Sequence, residues 1–283
     1  MNLAAPLMLD AHCDDLNAAV ALIPSSPRVR FEVGITDDAE RWIKKKHADG
    51  AVHEPGTIAA FIAARKWIGP EAVVFDVGAL FGYFSVLAAM MFEGKLVAFE
   101  MHPGAIPSLK LNIWPFGEVV QTALSDHSEA GVLTWVSGFN IFEKPAGGWE
   151  ALKTEPGAMK ERGDGNRGRG YKRINFRKLD DWCASSAILP NLIKFDVEAY
   201  QAKALCGALL TITAARPVVI IELHDPEKTA RLGTTNAATV QPLFDLGYKA
   251  YWCGNFRAAE AHFEPVAAMG PEHERLSLMV FVP

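Results

Sequence analysis

Three stretches of this chain bring carboxylates to positions where they could do chemistry. In "FDVGALFGYFSV" (75–86), Asp76 precedes Gly78 and Gly82, between an apolar run and a helical pattern. Gly78 removes a side chain where the backbone must turn or let a ligand close, and Gly82 does the same where the helix starts. The helix behind them offers free N–H groups and positive partial charge, suited to a carboxylate or phosphate. In "VAFEMHP" (97–103), Glu100 ends the next apolar run. A carboxylate there can accept both hydroxyls of a ribose, each charge-assisted bond contributing ~1.5–3 kcal/mol. Later, "LIKFDVE" (192–198) and "PVVIIELHD" (217–225) put Asp196, Glu198, Glu222, His224 and Asp225 at the ends of two more apolar runs.

Three nucleotide-binding readings compete for the first stretch. A phosphate-binding P-loop needs Gly-Lys-Ser/Thr at the helix start, and the chain has Gly82-Tyr83-Phe84. A dinucleotide fold wants G-x-G-x-x-G, and Ala79-Leu80 after Gly78 match it poorly. The looser glycine turn after an acid fits an S-adenosylmethionine loop. Glu100 supports an adenosine without choosing the cofactor, because the same position serves NAD binders.

The elements that must hold these residues alternate. Apolar runs at 72–78, 95–100, 118–125, 192–198 and 217–225 read as buried strands, and helical patterns at 83–92, 104–114, 199–215 and 236–247 separate most of them. Pro107 belongs in the first turn of its helix. Runs at 248–253 and 276–283 add two strands, and the non-helical stretch between them fits an antiparallel last strand. Strand–helix alternation with continuous apolar strands implies a parallel sheet with helices on both faces. Before it, "TIAAFIAARKWIGP" (57–70) reads as a helix capped by Thr57 and ended by Gly69-Pro70. Residues 1–56 read as a cap segment with a short strand at 28–35 and a helix at 37–50 capped by Asp37; 57–283 is the main domain. Residues 131–179 form a variable insertion whose Gly-, Lys- and Arg-rich middle (153–173) predicts a mobile loop.

The 283 residues suit one large domain. A net charge of −5 disfavours nucleic acid as partner, and no apolar run reaches the ~18 residues that span a bilayer. Cys13, Cys183, Cys206 and Cys253 form no CxxC pair and read as reduced, mostly buried thiols. An N-terminus without a basic start predicts a cytoplasmic protein without a cleaved signal. "HCDD" (12–15) reads as a polar turn, since no partner ligands follow at useful spacing.

The order "FDVGALFGYFSVLAA", "VAFEMHPGAIPSLKLNI", "TALSD", "KLDDW", "LIKFDVEAYQAKALCGA" and "RPVVIIELHD" resembles the FkbM family of S-adenosylmethionine-dependent methyltransferases. The resemblance runs from residue 54 to the closing strand. It implies an α/β Rossmann-like class I fold with a seven-stranded, mostly parallel sheet and an antiparallel last strand. It also implies a cofactor site: Asp76, Gly78, Phe81 and Gly82 around the methionine, Glu100 on the ribose, Ala123, Leu124 and Ser125 bordering the adenine, and Asp196 nearby. Leu80 stands where the family motif has asparagine, Ala199 where it has glycine, and Met101-His102-Pro103 carries one extra residue.

Methyl transfer from a sulfonium is an in-line displacement, so the protein mainly positions the acceptor, worth ~7–11 kcal/mol. The acceptor expected is a hydroxyl of a sugar, glycan or secondary metabolite. Its proton needs a base, and His224, with Asp196 or Glu222 orienting it, suits that role. A magnesium ion on Asp196, Glu222 and Asp225 is an alternative that the sequence does not require. The aromatics Trp135, Phe139, Phe142, Trp149, Tyr171, Trp252 and Phe256 fit either acceptor stacking or satellite core. An NAD-linked oxidoreductase would need a hydride-transfer site, for which the sequence offers no candidate. A cofactor-binding scaffold without turnover is the other alternative. The Asp/Asn-Pro-Pro-Tyr motif of amine methylation is absent, "DVEAY" standing in its place. Nothing in the sequence excludes a homo-oligomer.

Overall fold

The computed structural model describes residues 11–23, 52–137, 140–142 and 170–283. Helices α1 (Cys13–Leu22) and α2 (Pro55–Ile68) precede strand β1 (Val74–Val77). Then come α3 (Tyr83–Met91), β2 (Leu96–Glu100), α4 (Ile106–Ile113) and β3 (Gly117–Gln121). A group of strands follows: β4 (Ala123–Leu124), β5 (Glu129–Ser137), β6 (Asn140–Phe142) and β7 (Gly170–Arg177). Alternation resumes with α5 (Leu179–Ser186), β8 (Leu192–Phe195), α6 (Gln201–Cys206), α7 (Leu209–Ala215) and β9 (Val218–Leu223). The chain closes with α8 (Pro226–Ala230), α9 (Asn236–Asp245), β10 (Lys249–Cys253), β11 (Glu264–Val266) and β12 (Ser277–Val282).

The main sheet has the order β11-β10-β12-β9-β8-β1-β2-β3. Its β1, β2, β3, β8 and β9 run parallel, while β12 is antiparallel to both β9 and β10. This is the mostly parallel Rossmann-like sheet with an antiparallel last strand. It has eight strands rather than seven because β11 adds antiparallel to β10. Strand side chains alternate between two apolar cores. Val74, Leu96, Ala98, Leu192, Val218 and Ile220 face α2 and α3; Phe75, Val77, Val97, Ile193, Phe195 and Val219 face α5, α6 and α7. The same alternation sends the polar exceptions Asp76, Glu100, Lys194 and Glu222 to the α2–α3 side.

β1 lies between β2 and β8, and the chain leaves it toward β2 before returning on its other flank at β8. That reversal opens a crevice beyond the carboxyl ends of β1 and β8, where open α/β sheets bind ligands.

Several local expectations are corrected. Residues 118–125 are not one strand: β3 belongs to the main sheet, and β4 joins a second sheet ordered β4-β7-β5-β6. At the break, Thr122 Oγ1 donates to the Asn175 carbonyl of β7 (2.8 Å). The helix at 199–215 is two, divided near Gly207, where a Cβ would lie 1.9 Å from the Ser125 carbonyl oxygen. Thr57 does not cap α2; the helix starts at Pro55, and Thr57 Oγ1 donates to Glu54 Oε2 (3.2 Å). "HCDD" opens α1, not a turn, and Asp15 accepts from Trp67 Nε1 (2.9 Å) and pairs with Lys66. Asn17 exchanges side chain–backbone hydrogen bonds with Phe263, fastening α1 to the segment after β10. Residues 28–35 and 37–50 and most of the loop at 153–173 lie outside the described residues; Gly170–Arg173 are part of β7. Of the four cysteines, Cys183 and Cys253 are buried, Cys13 is intermediate and Cys206 is exposed.

Candidate active site

After β1 the backbone makes a close approach. Gly78 has φ 81°, and a Cβ there would lie 1.8 Å from the Asp196 carbonyl oxygen. Only glycine lets the end of β1 cross the end of β8 this tightly. The next turn places Leu80 at φ 50°, which aims its N–H at Glu100 Oε2 (2.8 Å). His102 N–H fills the other oxygen, Oε1 (2.7 Å). Burial raises the Glu100 carboxyl above its ordinary range, and these backbone donors oppose the rise. Asn112 Nδ2 of α4 holds the Phe81 carbonyl (2.6 Å) and so fixes the far side of the loop.

A cleft opens beside this turn. Gly78, Leu80, Glu100 and Met101 line one end, with Thr122, Ala123 and Leu124 along its flank. The other end is lined by Asp196, Val197, Glu198 and Tyr200, by His53 and Glu54 ahead of α2, and by Arg257 after β10. Glu54 and Arg257 are brought together by one backbone contact. Gly56 N–H donates to the Phe256 carbonyl (2.7 Å), and a Cβ on Gly56 would meet Phe256 at 2.7 Å.

Charges beneath this second end are arranged in pairs. Lys194, 3% exposed, stands 3.4 Å from both Asp76 Oδ1 and Asp196 Oδ2 and 4.8 Å from the Phe84 ring centre. Burial alone would lower its ammonium, but Asp76 and Asp196 more than offset that and hold it above the ordinary lysine range. Arg257 Nη2 donates to Glu222 Oε1 (2.7 Å) and Nε to Glu54 Oε1 (3.2 Å). Burial, then the negative charge of Asp196, raises both the Glu54 and Glu222 carboxyls.

Five of the expected site residues line the cleft: Gly78, Glu100, Ala123, Leu124 and Asp196. Asp76, fully buried, lies beneath and accepts from Ser85 Oγ (2.6 Å). Phe81 packs on Ala105 and Leu80, Gly82 packs against Leu109 and Ile113, and neither lines the cleft. Ser125 is likewise fully buried, its Oγ 3.1 Å from the Tyr200 hydroxyl and 3.0 Å from Asp126 Oδ1. Burial opposes ionisation of Asp126, but hydrogen bonds from His127 and Ser125 prevail and hold it below its ordinary value.

The expected base geometry is corrected. His224 is 2% exposed, does not line the cleft, and has a neighbour at each ring nitrogen: Gln201 Nε2 at Nδ1 (3.1 Å) and Glu198 Oε2 at Nε2 (3.3 Å). Glu222 Oε1 is farther, at 3.9 Å, and is taken by Arg257. Asp196 and Glu198 share no strand face, because β8 ends at Phe195 and Glu198 has a left-handed φ of 51°.

The magnesium set is corrected too. Asp225 is exposed and caps α8, and it is His224 that joins Asp196 and Glu222, with ligand atoms within 4.8 Å of one another. Lys194 and Arg257 already neutralise those carboxylates, and Gln201 occupies His224 Nδ1. This donor set does not fit a hard divalent ion, which needs several oxygens free of cationic partners.

Trp252 and Phe256 are core, not acceptor platforms: Trp252 packs on His273 (4.9 Å) and Phe256 is 2% exposed. Phe139 and Trp149 lie outside the described residues, as do the side chains of Trp135, Phe142 and Tyr171. Sequence reasoning missed Glu54, Arg257, Gln201, Tyr200 and Lys194. Only Lys194 carried a signal, a lysine inside the apolar strand "LIKF".

The chain is similar to several solved proteins. An FkbM methyltransferase from Methylobacillus flagellatus shares 14% identity with a TM-score of 0.41, covering 85% of this chain and 57% of that one. This chain thus spans little more than half of that relative. A TehB-like methyltransferase from Corynebacterium glutamicum shares 12% identity with a TM-score of 0.44, covering 87% and 96%. A putative O-methyltransferase from Klebsiella pneumoniae shares 13% identity with a TM-score of 0.40, covering 95% and 96%. No curated protein matches significantly. The methyltransferase FkbM domain matches residues 76–250, more than half of the sequence, and the chain belongs to that family.

Proposed function

We propose that the chain is an S-adenosylmethionine-dependent O-methyltransferase acting on a hydroxyl of a sugar, glycan or secondary metabolite. The observation that carries this reading is one cleft at the strand-order reversal, with Glu100 at one end and an acid-rich wall at the other. The residues fit the cofactor. Each Glu100 oxygen accepts one backbone N–H and keeps acceptor capacity for the ribose hydroxyls. Gly78 lines the end of the cleft that would take the methionine, while Asp76, Phe81 and Gly82 shape the loop from behind. Ala123 and Leu124 flank the adenine, and Ser125 fixes Asp126 beyond them. When bound, S-adenosylmethionine supplies an activated methyl group. The chain's part is to bind it, exclude water, hold the acceptor in line and receive one proton.

Calorimetry tests the cofactor. S-adenosylhomocysteine is expected to bind in the micromolar range or tighter, and NAD not to bind. Binding of NAD alone would replace this reading with an oxidoreductase.

A further inference from the structure

We propose that Glu198 takes the proton from the acceptor hydroxyl, and that His224 is a positioning residue locked in its Nε2–H tautomer. The proposal rests on the methyl-transfer reading above.

Gln201 fixes the tautomer. Its Nε2 lies 2.6 Å from the Glu222 carbonyl oxygen, so that end of the amide is the donor. The same NH2 lies 3.1 Å from His224 Nδ1, which must therefore accept. A neutral ring that accepts at Nδ1 carries its proton on Nε2, and that proton points at Glu198 Oε2, 3.3 Å away. No ring lone pair is left for a substrate.

Glu198 is placed differently. It lines the cleft with a third of its side chain exposed (33%). Lys228 (2.7 Å) and His224 both take Oε2; no hydrogen bond or ion pair among the described residues uses Oε1. Glu198 and Ala199 are consecutive left-handed residues, φ 51° and 78°. Strain of this kind persists where surrounding contacts over-determine a functional orientation.

The charged groups facing Glu198 are Lys228 at α8, His224 after β9 and Arg257 after β10. Burial would raise its carboxyl, but hydrogen bonds from His224 and Lys228 hold it down to about 2. So weak a base suffices. As the C–O bond forms and the donor C–S bond breaks, its electron pair goes to sulfur and the attacking oxygen becomes positive. Its proton is then strongly acidic and passes to Oε1, and from there to water at the exposed edge.

The test has three arms, all on the full chain. In the first, [15N]histidine spectra assigned with His224→Gln report which ring nitrogen carries the proton. A protonated Nε2 and an unprotonated Nδ1 are expected. A protonated Nδ1 overturns the proposal. In the second, methyl transfer from radiolabelled S-adenosylmethionine to methyl α-D-glucopyranoside and to catechol is measured. Glu198→Gln is expected to slow it ~100-fold or more, and His224→Gln less than about tenfold. Equal losses in both overturn it. In the third, calorimetry with S-adenosylhomocysteine checks that both variants fold and bind. A native chain that binds no S-adenosylhomocysteine, or methylates neither probe, refutes the O-methyltransferase reading and this assignment with it.

Discussion

Replacing Gly78 by alanine separates a conformational cost from a collision, because the chain contains a matched control. Gly78 has φ 81°, and Gly247, just past α9, has φ 78° in the left-handed turn that closes that helix. A Cβ on Gly247 meets nothing within 4 Å, whereas one on Gly78 would sit 1.8 Å from the Asp196 carbonyl oxygen and 2.8 Å from its carbon. Alanine in left-handed backbone costs ~1–2 kcal/mol, and a stiffer unfolded chain returns ~0.4–1 kcal/mol. Gly247→Ala should therefore lose roughly 0.5–1 kcal/mol. Gly78→Ala adds overpacking of ~1–3 kcal/mol, toward the upper end because the obstacle is backbone rather than a flexible tip. Its loss should be about 2–4 kcal/mol. At ~2–4 °C per kcal/mol, Tm should fall by roughly 4–16 °C against 1–4 °C for the control. Relieving the clash pushes Asp196 from Gly78, so affinity for S-adenosylhomocysteine should drop about tenfold in Gly78→Ala only, equivalent to ~1.4 kcal/mol. Thermal melts and calorimetry on both variants check this. Equal Tm shifts with unchanged affinity would refute a close approach between the ends of β1 and β8.

Lys194→Met should lose ~3–5 kcal/mol in urea unfolding, because it leaves Asp76 buried without its cation and Asp196 without its partner; an unmoved midpoint would deny the pairing. Glu100→Gln should weaken S-adenosylhomocysteine binding ~10–100-fold by calorimetry, with little change in Tm. The Glu54 and Glu222 carboxyls are raised in the folded protein, so it keeps protons that the unfolded chain releases above ~4.3. The stability they contribute is complete below that value and falls as pH rises toward their folded values. Glu222→Gln should flatten this decline in Tm between about pH 5 and 8; a slope as steep as the native one would contradict it.

The main sheet was legible because β1, β2, β8 and β9 are buried on both faces and read as continuous apolar runs; of the parallel strands only the edge strand β3 is partly exposed. The break between β3 and β4 was not. "EVVQTALS" keeps its β-propensity throughout, and the switch of sheets depends on Thr122 reaching Asn175, which is distant in sequence. The cleft divides along the same line. Its cofactor end is built from residues directly following β1 and β2, where acids and glycines stand out against apolar runs. Its other end is built from Glu54 and Arg257, which meet only because Gly56 packs against Phe256. Nothing local to either segment marks that contact.

The two substitutions against the family motif show what sequence comparison reads and what it leaves out. Leu80 replaces asparagine, which suggests a lost polar contact. The structure shows that the position is a left-handed one, φ 50°, where asparagine is favoured for its backbone tolerance. The contact made there is the backbone N–H to Glu100, which any residue can supply. Ala199 replaces glycine at φ 78°, again a left-handed position. The chain thus keeps both turns without the residues that favour them, at roughly 1–3 kcal/mol each. What must be held in place of side-chain identity is backbone direction. One turn delivers an N–H to the ribose carboxylate, and the other carries the Glu198 side chain to His224 and Lys228 at the cleft wall.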